Sequence, residues 1–102
     1  MPFGVMGGQY QAAGHARVLS NIYDFEMDIQ TALDAPRSFF ENGSLRIERG
    51  YDESTVQKLY SLGHNIDQKI SPIGGAQAIK INENGVLQGA SDPRKDGCAI
   101  GY

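Results

Sequence analysis

The sequence has no tryptophan, one cysteine and two histidines among its 102 residues. With Cys98 alone, an internal disulfide and a cysteine-based metal centre are both excluded. His15 and His64 do not form the HxxxH or HExxH spacing that sets two imidazoles on one helix face, so no metal site and no cofactor is expected. Positive charge is also scarce: nine Lys and Arg stand against twelve Asp and Glu, for a net charge of -3. There is no basic stripe to meet a phosphate backbone, so nucleic acid is not an expected partner. No run approaches the ~18 apolar residues that span a bilayer, so no membrane partner is expected either. The N-terminus lacks the basic start and apolar core of a signal peptide, which leaves localisation open.

What is present fits a globular chain. Hydrophobic residues make up 40% and charged residues 21%, enough apolar surface for a modest core in one domain spanning 1–102. Gln9 to Tyr23 reads as a helix, because His15, Val18, Leu19 and Ile22 recur at i, i+3, i+4 and i+7. Gly14 inside it either weakens the helix by about 1 kcal/mol or lets another element pack close. Asp28 is placed to cap a second helix carrying Ile29, Ala32 and Leu33, which Pro36 stops. Leu45 and Ile47 alternate with Arg46 and Glu48 as a strand, with Glu48 and Arg49 in solvent. Asp52 opens a third helix with apolar positions Val56, Leu59 and Tyr60, and Gly63 ends it.

A strand is expected near Ile66 to Ile70. AQAIKI (76–81), the NENG turn and VLQGA (86–90) then form a hairpin, with Gly85 supplying positive φ. SDPRKDG follows as a loop, and CAIGY as a last short apolar strand in which Cys98 is a small core residue. The mixture predicts an α+β fold, mostly antiparallel strands with helices on one face.

Several polar residues admit two readings. Gly7 and Gly8 are either a strand-to-helix turn or a place where bare backbone meets an anion ahead of a helix. Asp92 and Arg94 are either substrate groups or a buried ion pair or turn that fixes the last strand, and the second is favoured. The same choice holds for Asp34 and Arg37 around Ala35-Pro36. His15 on the apolar stripe is expected to be a packed or capped residue rather than a general base, and His64 to offset a helix dipole.

Taken together, MPFGVMGGQYQ, HARVLSNIYDFEMDIQTALDAPR, IERGYDESTVQKLYSLGH and GVLQGASDPRKDGCAIGY resemble, in order and spacing, the C-terminal part of the small subunit of the gamma-glutamyltranspeptidase family. ALDAPR and the GASDPR to GCAIGY segment are the most specific parts. The resemblance implies an N-terminal nucleophile hydrolase with a four-layer αββα sandwich, made by a precursor that cuts itself into two subunits. The new terminal threonine would attack γ-glutamyl amides such as glutathione, with its own α-amine as base, and pass the acyl group to water or an amine. Gly7 and Gly8 would then be oxyanion-hole backbone. Full-length relatives are often periplasmic or secreted.

Thr31 and Thr55 lie inside helix patterns, so neither is a chain-starting nucleophile. Met1 resembles an interior position of the family pattern. The chain is therefore expected to be inactive alone, to need the upstream part of the same precursor (the large subunit and the start of the small one), and to self-associate in isolation through uncovered edges. Met6 and Gln9 stand where many members carry Pro and Ser, which resembles an acylase-like branch. A stand-alone binding or structural module is the remaining alternative.

Overall fold

The computed structural model describes residues 1–68 and 71–101. In chain order the elements are β1 (Phe3–Met6), a 3-10 turn (Gly8–Tyr10), α1 (Gln11–Tyr23), α2 (Ile29–Asp34), β2 (Ser38–Glu41), β3 (Ser44–Ile47), α3 (Glu53–Ser61), β4 (Ile66–Asp67), β5 (Gly75–Ile81) and β6 (Leu87–Ser91). They fall into two compact units, one made of Met1–Asp34 with the chain from Gly74 onward, the other of Ala35–Ile73. The α+β class read from the sequence holds in both. Among the described residues, no helix is long and apolar enough to cross a membrane, and no cluster of three or more His, Cys, Asp or Glu could hold a metal ion.

The first unit is a sheet in the order β1-β5-β6, antiparallel throughout, with α1 and α2 packed on it. Register pairs Val5 with Ala76 and Ala78 with Ala90, and these four buried residues share the face under the helices. Alanines on the strands keep that face flat, so Val18 and Ile22 of α1 and Ile29, Ala32 and Leu33 of α2 can close onto it. Buried Asn21 joins the two helices by donating from its side-chain amide to the Ala32 carbonyl (3.2 Å), while its backbone carbonyl accepts from the Met27 amide in the connecting loop (3.0 Å). Gln30 holds α2 to β6 with its whole amide, donating to the Ser91 carbonyl (2.9 Å) and accepting from the Ser91 N–H (3.1 Å).

Asp28 caps α2 as the sequence implies. Its carboxylate accepts from the Thr31 amide (3.0 Å) and the Thr31 hydroxyl (2.6 Å). The hairpin also forms, over Leu87–Ser91 rather than 86–90, with Gly85 at φ 81° in its turn. α1 begins at Gln11, two residues later than the periodicity suggests, because the chain first makes the 3-10 turn. Leu19 is not part of the dry stripe; it stays exposed.

The second unit is a sheet in the order β2-β3-β4, with β2 and β3 antiparallel and β4 parallel to β3. The Ile66–Ile70 expectation is met at Ile66–Asp67, and its last two residues lie outside the described ones. α3 ends as Gly63 predicts: the Gly63 amide donates to the Tyr60 carbonyl (2.9 Å) and the His64 amide to the Leu59 carbonyl (3.2 Å), the two bonds of a Schellman cap. Only Val56 of α3 is buried, whereas Tyr60 lies exposed, so that helix uses less of its apolar stripe than expected. The strand expected at CAIGY does not form over its described residues, 98–101, and Cys98 is exposed rather than core. Tyr102 lies outside the described residues.

Candidate functional site

The Gly7–Gly8 turn follows directly from β1. Gly7 adopts φ 144° and Gly8 φ 59°, both in the region that side-chain-bearing residues rarely enter. The Gly7 carbonyl accepts from the Tyr10 amide at 3.1 Å, which closes the 3-10 turn and leads into α1. Both glycines are exposed. Among the described residues, neither the Gly7 nor the Gly8 N–H donates to a protein acceptor. Two backbone donors thus stand open at the start of a helical segment, where the first amides lack intrahelical partners.

The turn is packed from behind. A Cβ on Gly7 would come within 3.2 Å of Gly74 Cα and 3.3 Å of Tyr10 Cβ. Tyr10 is buried, and its ring also occupies the space a side chain on Gly14 would need (2.6 Å). Gly14 is therefore in α1 for close approach to Tyr10 and Val5, which settles the choice left open by the sequence. Gly74, at φ 65°, touches the same ring, and a Cβ there would lie 2.6 Å from the Met6 carbonyl oxygen. Gly74 escaped the sequence reading; its signal was a second Gly-Gly immediately before a strand.

His15 flanks the turn but is committed elsewhere. Its Nε2 accepts from the Val5 N–H (3.2 Å), and its Nδ1 faces the Gln11 carbonyl at 2.7 Å. A carbonyl only accepts, so Nδ1 carries the proton and the ring is the neutral tautomer. Both nitrogens are occupied and the ring packs on Phe3, 5.5 Å between centroids, which is the packed, capping role rather than that of a base.

Asp92 is fully buried and spends both oxygens. Oδ2 accepts from the Ala76 amide (2.8 Å), while Oδ1 accepts from the Arg94 amide (2.9 Å) and Arg94 Nη1 (3.0 Å). The same Nη1 donates to the Leu33 carbonyl at 2.8 Å. These contacts match the structural reading of the DPR loop.

Asp34 belongs to the first unit and Arg37 to the second. Asp34 is exposed at the end of α2 and accepts from Gln30 (2.8 Å), whereas buried Arg37 donates from Nη1 to the Ile73 carbonyl (3.0 Å). Glu48 corrects the sequence reading outright. Its carboxylate is buried and accepts from the Arg37 amide and the Ile73 amide, each at 2.8 Å. Arg49 is in solvent as expected. A concavity of about 430 Å³, lined by Pro2, Phe3, Gln77, Ile79, Cys98 and Ala99 among others, includes neither Gly7 nor Gly8.

Comparison with known proteins agrees with the motifs. The family model for gamma-glutamyltranspeptidase matches residues 1–102. The chain is 35% identical over 108 residues to the glutathione hydrolase-like YwrD proenzyme of Bacillus subtilis, covering 97% of this chain and 21% of that protein. It is 36% identical over 84 residues to the acylase ACY 1 proenzyme of a Pseudomonas strain, covering 82% of this chain and 15% of that protein. Among solved structures, the cephalosporin acylase of Bacillus halodurans superposes with a TM-score of 0.88 at 37% identity, over 99% of this chain and 20% of that one. The chain spans between 15% and 21% of the length of these relatives.

Proposed function

This chain belongs to the gamma-glutamyltranspeptidase family, and from that premise we propose that it is the C-terminal part of the small subunit of an N-terminal nucleophile hydrolase. Its share of the chemistry is the pair of backbone donors at Gly7 and Gly8, in a site completed by the rest of a larger precursor. The observation that carries this reading is the turn itself: two exposed N–H groups, uncommitted among the described residues, in a conformation the packing behind them enforces.

The chemistry runs as follows in the assembled enzyme. A terminal threonine from the upstream segment attacks the carbonyl of the donor amide, and its α-amine takes the hydroxyl proton. The carbonyl electron pair moves onto oxygen, and the Gly7 and Gly8 amides hydrogen-bond to that charge. Losing one such donor costs roughly 2.7–4 kcal/mol of transition-state stabilisation. Collapse of the intermediate expels the amine, which leaves with the proton, and water or a second amine then accepts the acyl group. The donors would be γ-glutamyl amides of the glutathione type.

A second reading, an acylase with a different acyl group, is favoured by Met6 and Gln9 around the glycine pair and by the likeness to the cephalosporin acylase at 37% identity. It keeps the same turn and changes only what the upstream part recognises.

The isolated chain is inactive on this account. It also self-associates, because the face of the β1-β5-β6 sheet opposite the helices leaves Met6, Ile79, Ile81 and Leu87 exposed. The test is an assay of the purified chain against a γ-glutamyl anilide and a cephalosporin amide, with light scattering on the same sample. No hydrolysis and a mass above that of the monomer are expected. Turnover by the chain alone would refute the inactive-part reading, and a folded, inactive monomer would favour a stand-alone module.

A further inference from the structure

We infer that Gly74, clamped in place through the Asp92 carboxylate, is a positioning residue for the Gly7 and Gly8 amides. The inference rests on the reading of those amides as donors, and adds to it the part of the chain that aims them. The turn's carbonyls are held, Gly7 by the Tyr10 amide and Gly8 by the Gln11 amide, while among the described residues its two N–H groups are uncommitted. What limits its movement is the wall behind it. A Cβ on Gly7 would sit 3.2 Å from Gly74 Cα and 3.3 Å from Tyr10 Cβ, tighter than ordinary contact, and one on Gly74 would sit 2.6 Å from the Met6 carbonyl oxygen and 2.9 Å from the Tyr10 ring. Each backbone is therefore the other's stop. Met6 is the residue that hands the chain to Gly7, so any side chain at Gly74 displaces the turn at its root.

Gly74 must then be held against something. Two residues on, Ala76 donates its amide to Asp92 Oδ2 (2.8 Å) and accepts from the Asp92 amide at its own carbonyl (3.1 Å). Asp92 is in turn fixed by Arg94, whose Nη1 is bonded to the Leu33 carbonyl at the end of α2. A buried carboxylate carries a large desolvation cost and needs a full set of donors. Here those donors tie the start of β5 to the helix layer, and Gly74, the residue just before β5, is what faces the turn.

The test is amide NMR on the 102-residue chain, comparing Gly74→Ala, Gly4→Ala and Asp92→Asn. Gly4 is close to the turn in sequence, but a Cβ there meets nothing within 4 Å. Gly74→Ala is expected to shift the Gly7 and Gly8 amide resonances as much as those of its own neighbours, while Gly4→Ala leaves Gly7 and Gly8 in place. Asp92→Asn retains shape but loses the charge, and is expected to move Ala76, Gly7 and Gly8 together. If Gly74→Ala does not fold, Asp92→Asn decides alone. Shifts confined to residues around 74 or 92, with Gly7 and Gly8 unmoved, would overturn the inference. The readout is of the amide frame and not of turnover, so a failure of the donor reading would show separately, as wild-type turnover in an enzyme whose turn has been displaced.

Discussion

The two compact units solve the same problem with different means. The unit of Met1–Asp34 and the chain from Gly74 closes a helix layer on a sheet, with Val18, Ile29 and Leu33 almost wholly removed from water. The unit of Ala35–Ile73 buries few apolar side chains among its described residues, Ile47, Val56 and Ile73, and leaves Phe40, Tyr60 and Leu62 in solvent. Each unit also buries one carboxylate on backbone amides. In the first, Asp92 sets the start of a strand beside the glycine turn. In the second, Glu48 takes the amides of Arg37 and Ile73 and so ties together the two ends of the unit. A small unit with little apolar surface depends more on such a polar tie than one with a continuous core.

Leu33→Ala tests the apolar side of that contrast and should have the largest effect. Leu33 has no exposed surface, so the truncation is expected to cost about 3–5 kcal/mol, read as a lower urea midpoint. Glu48→Ala tests the polar side. Two buried amides lose their acceptor at about 1–3 kcal/mol each, and water entering the space the side chain leaves recovers part of that, so a loss of about 2–4 kcal/mol is expected. By amide hydrogen exchange, that loss should appear first in the unit of Ala35–Ile73; equal protection in both variants would break the contrast. Glu48→Gln, which keeps one acceptor, should cost less.

The smallest effect separates the two helix starts. Thr31, first through its hydroxyl and then through its amide, holds the Asp28 carboxyl below its ordinary range. The folded form is therefore favoured above the unfolded carboxyl value of about 3.9, and that contribution is lost as pH falls through the lower folded value. Asp52, at the matching position of α3, makes no side-chain capping bond. Acidification below about pH 4 should thus loosen the Thr31 amide in wild type but not in Asp28→Ala, and Asp52→Ala should leave the α3 amides unchanged.

Much of the first unit was legible because its signals are local. The α1 stripe, the Asp28 cap and the NENG turn each act within a few residues. β1 and β2 were not read as strands, because FGVM is broken by glycine and SFFE does not alternate; β1 exists through pairing with distant Ala76 and its neighbours, whereas β2 pairs with β3 across the two-residue Asn42-Gly43 turn, a local signal that was passed over. CAIGY shows the reverse case, an apolar run that reads as a strand but, over its described residues 98–101, forms none. Glu48 was missed for a similar reason. A glutamate alternating with Ile47 reads as solvent-facing until the Arg37 and Ile73 amides converge on it from both ends of the unit. The glycine pair was legible as a turn from its own residues, whereas Gly74, the residue that packs against it, comes from the far side of an inserted unit.

The central claim is that the Gly7 and Gly8 amides stabilise the oxyanion in the assembled enzyme. The most direct measurement is kcat of the precursor-length protein, after confirmed self-cleavage, with Gly7→Ala set against Gly4→Ala. A methyl group at φ 144° against Gly74 and Tyr10 must re-aim the turn, so kcat should fall about 10²–10³-fold with KM little changed. Gly4→Ala should stay within about twofold of wild type. A Gly7→Ala enzyme that turns over at the rate of Gly4→Ala would contradict the account.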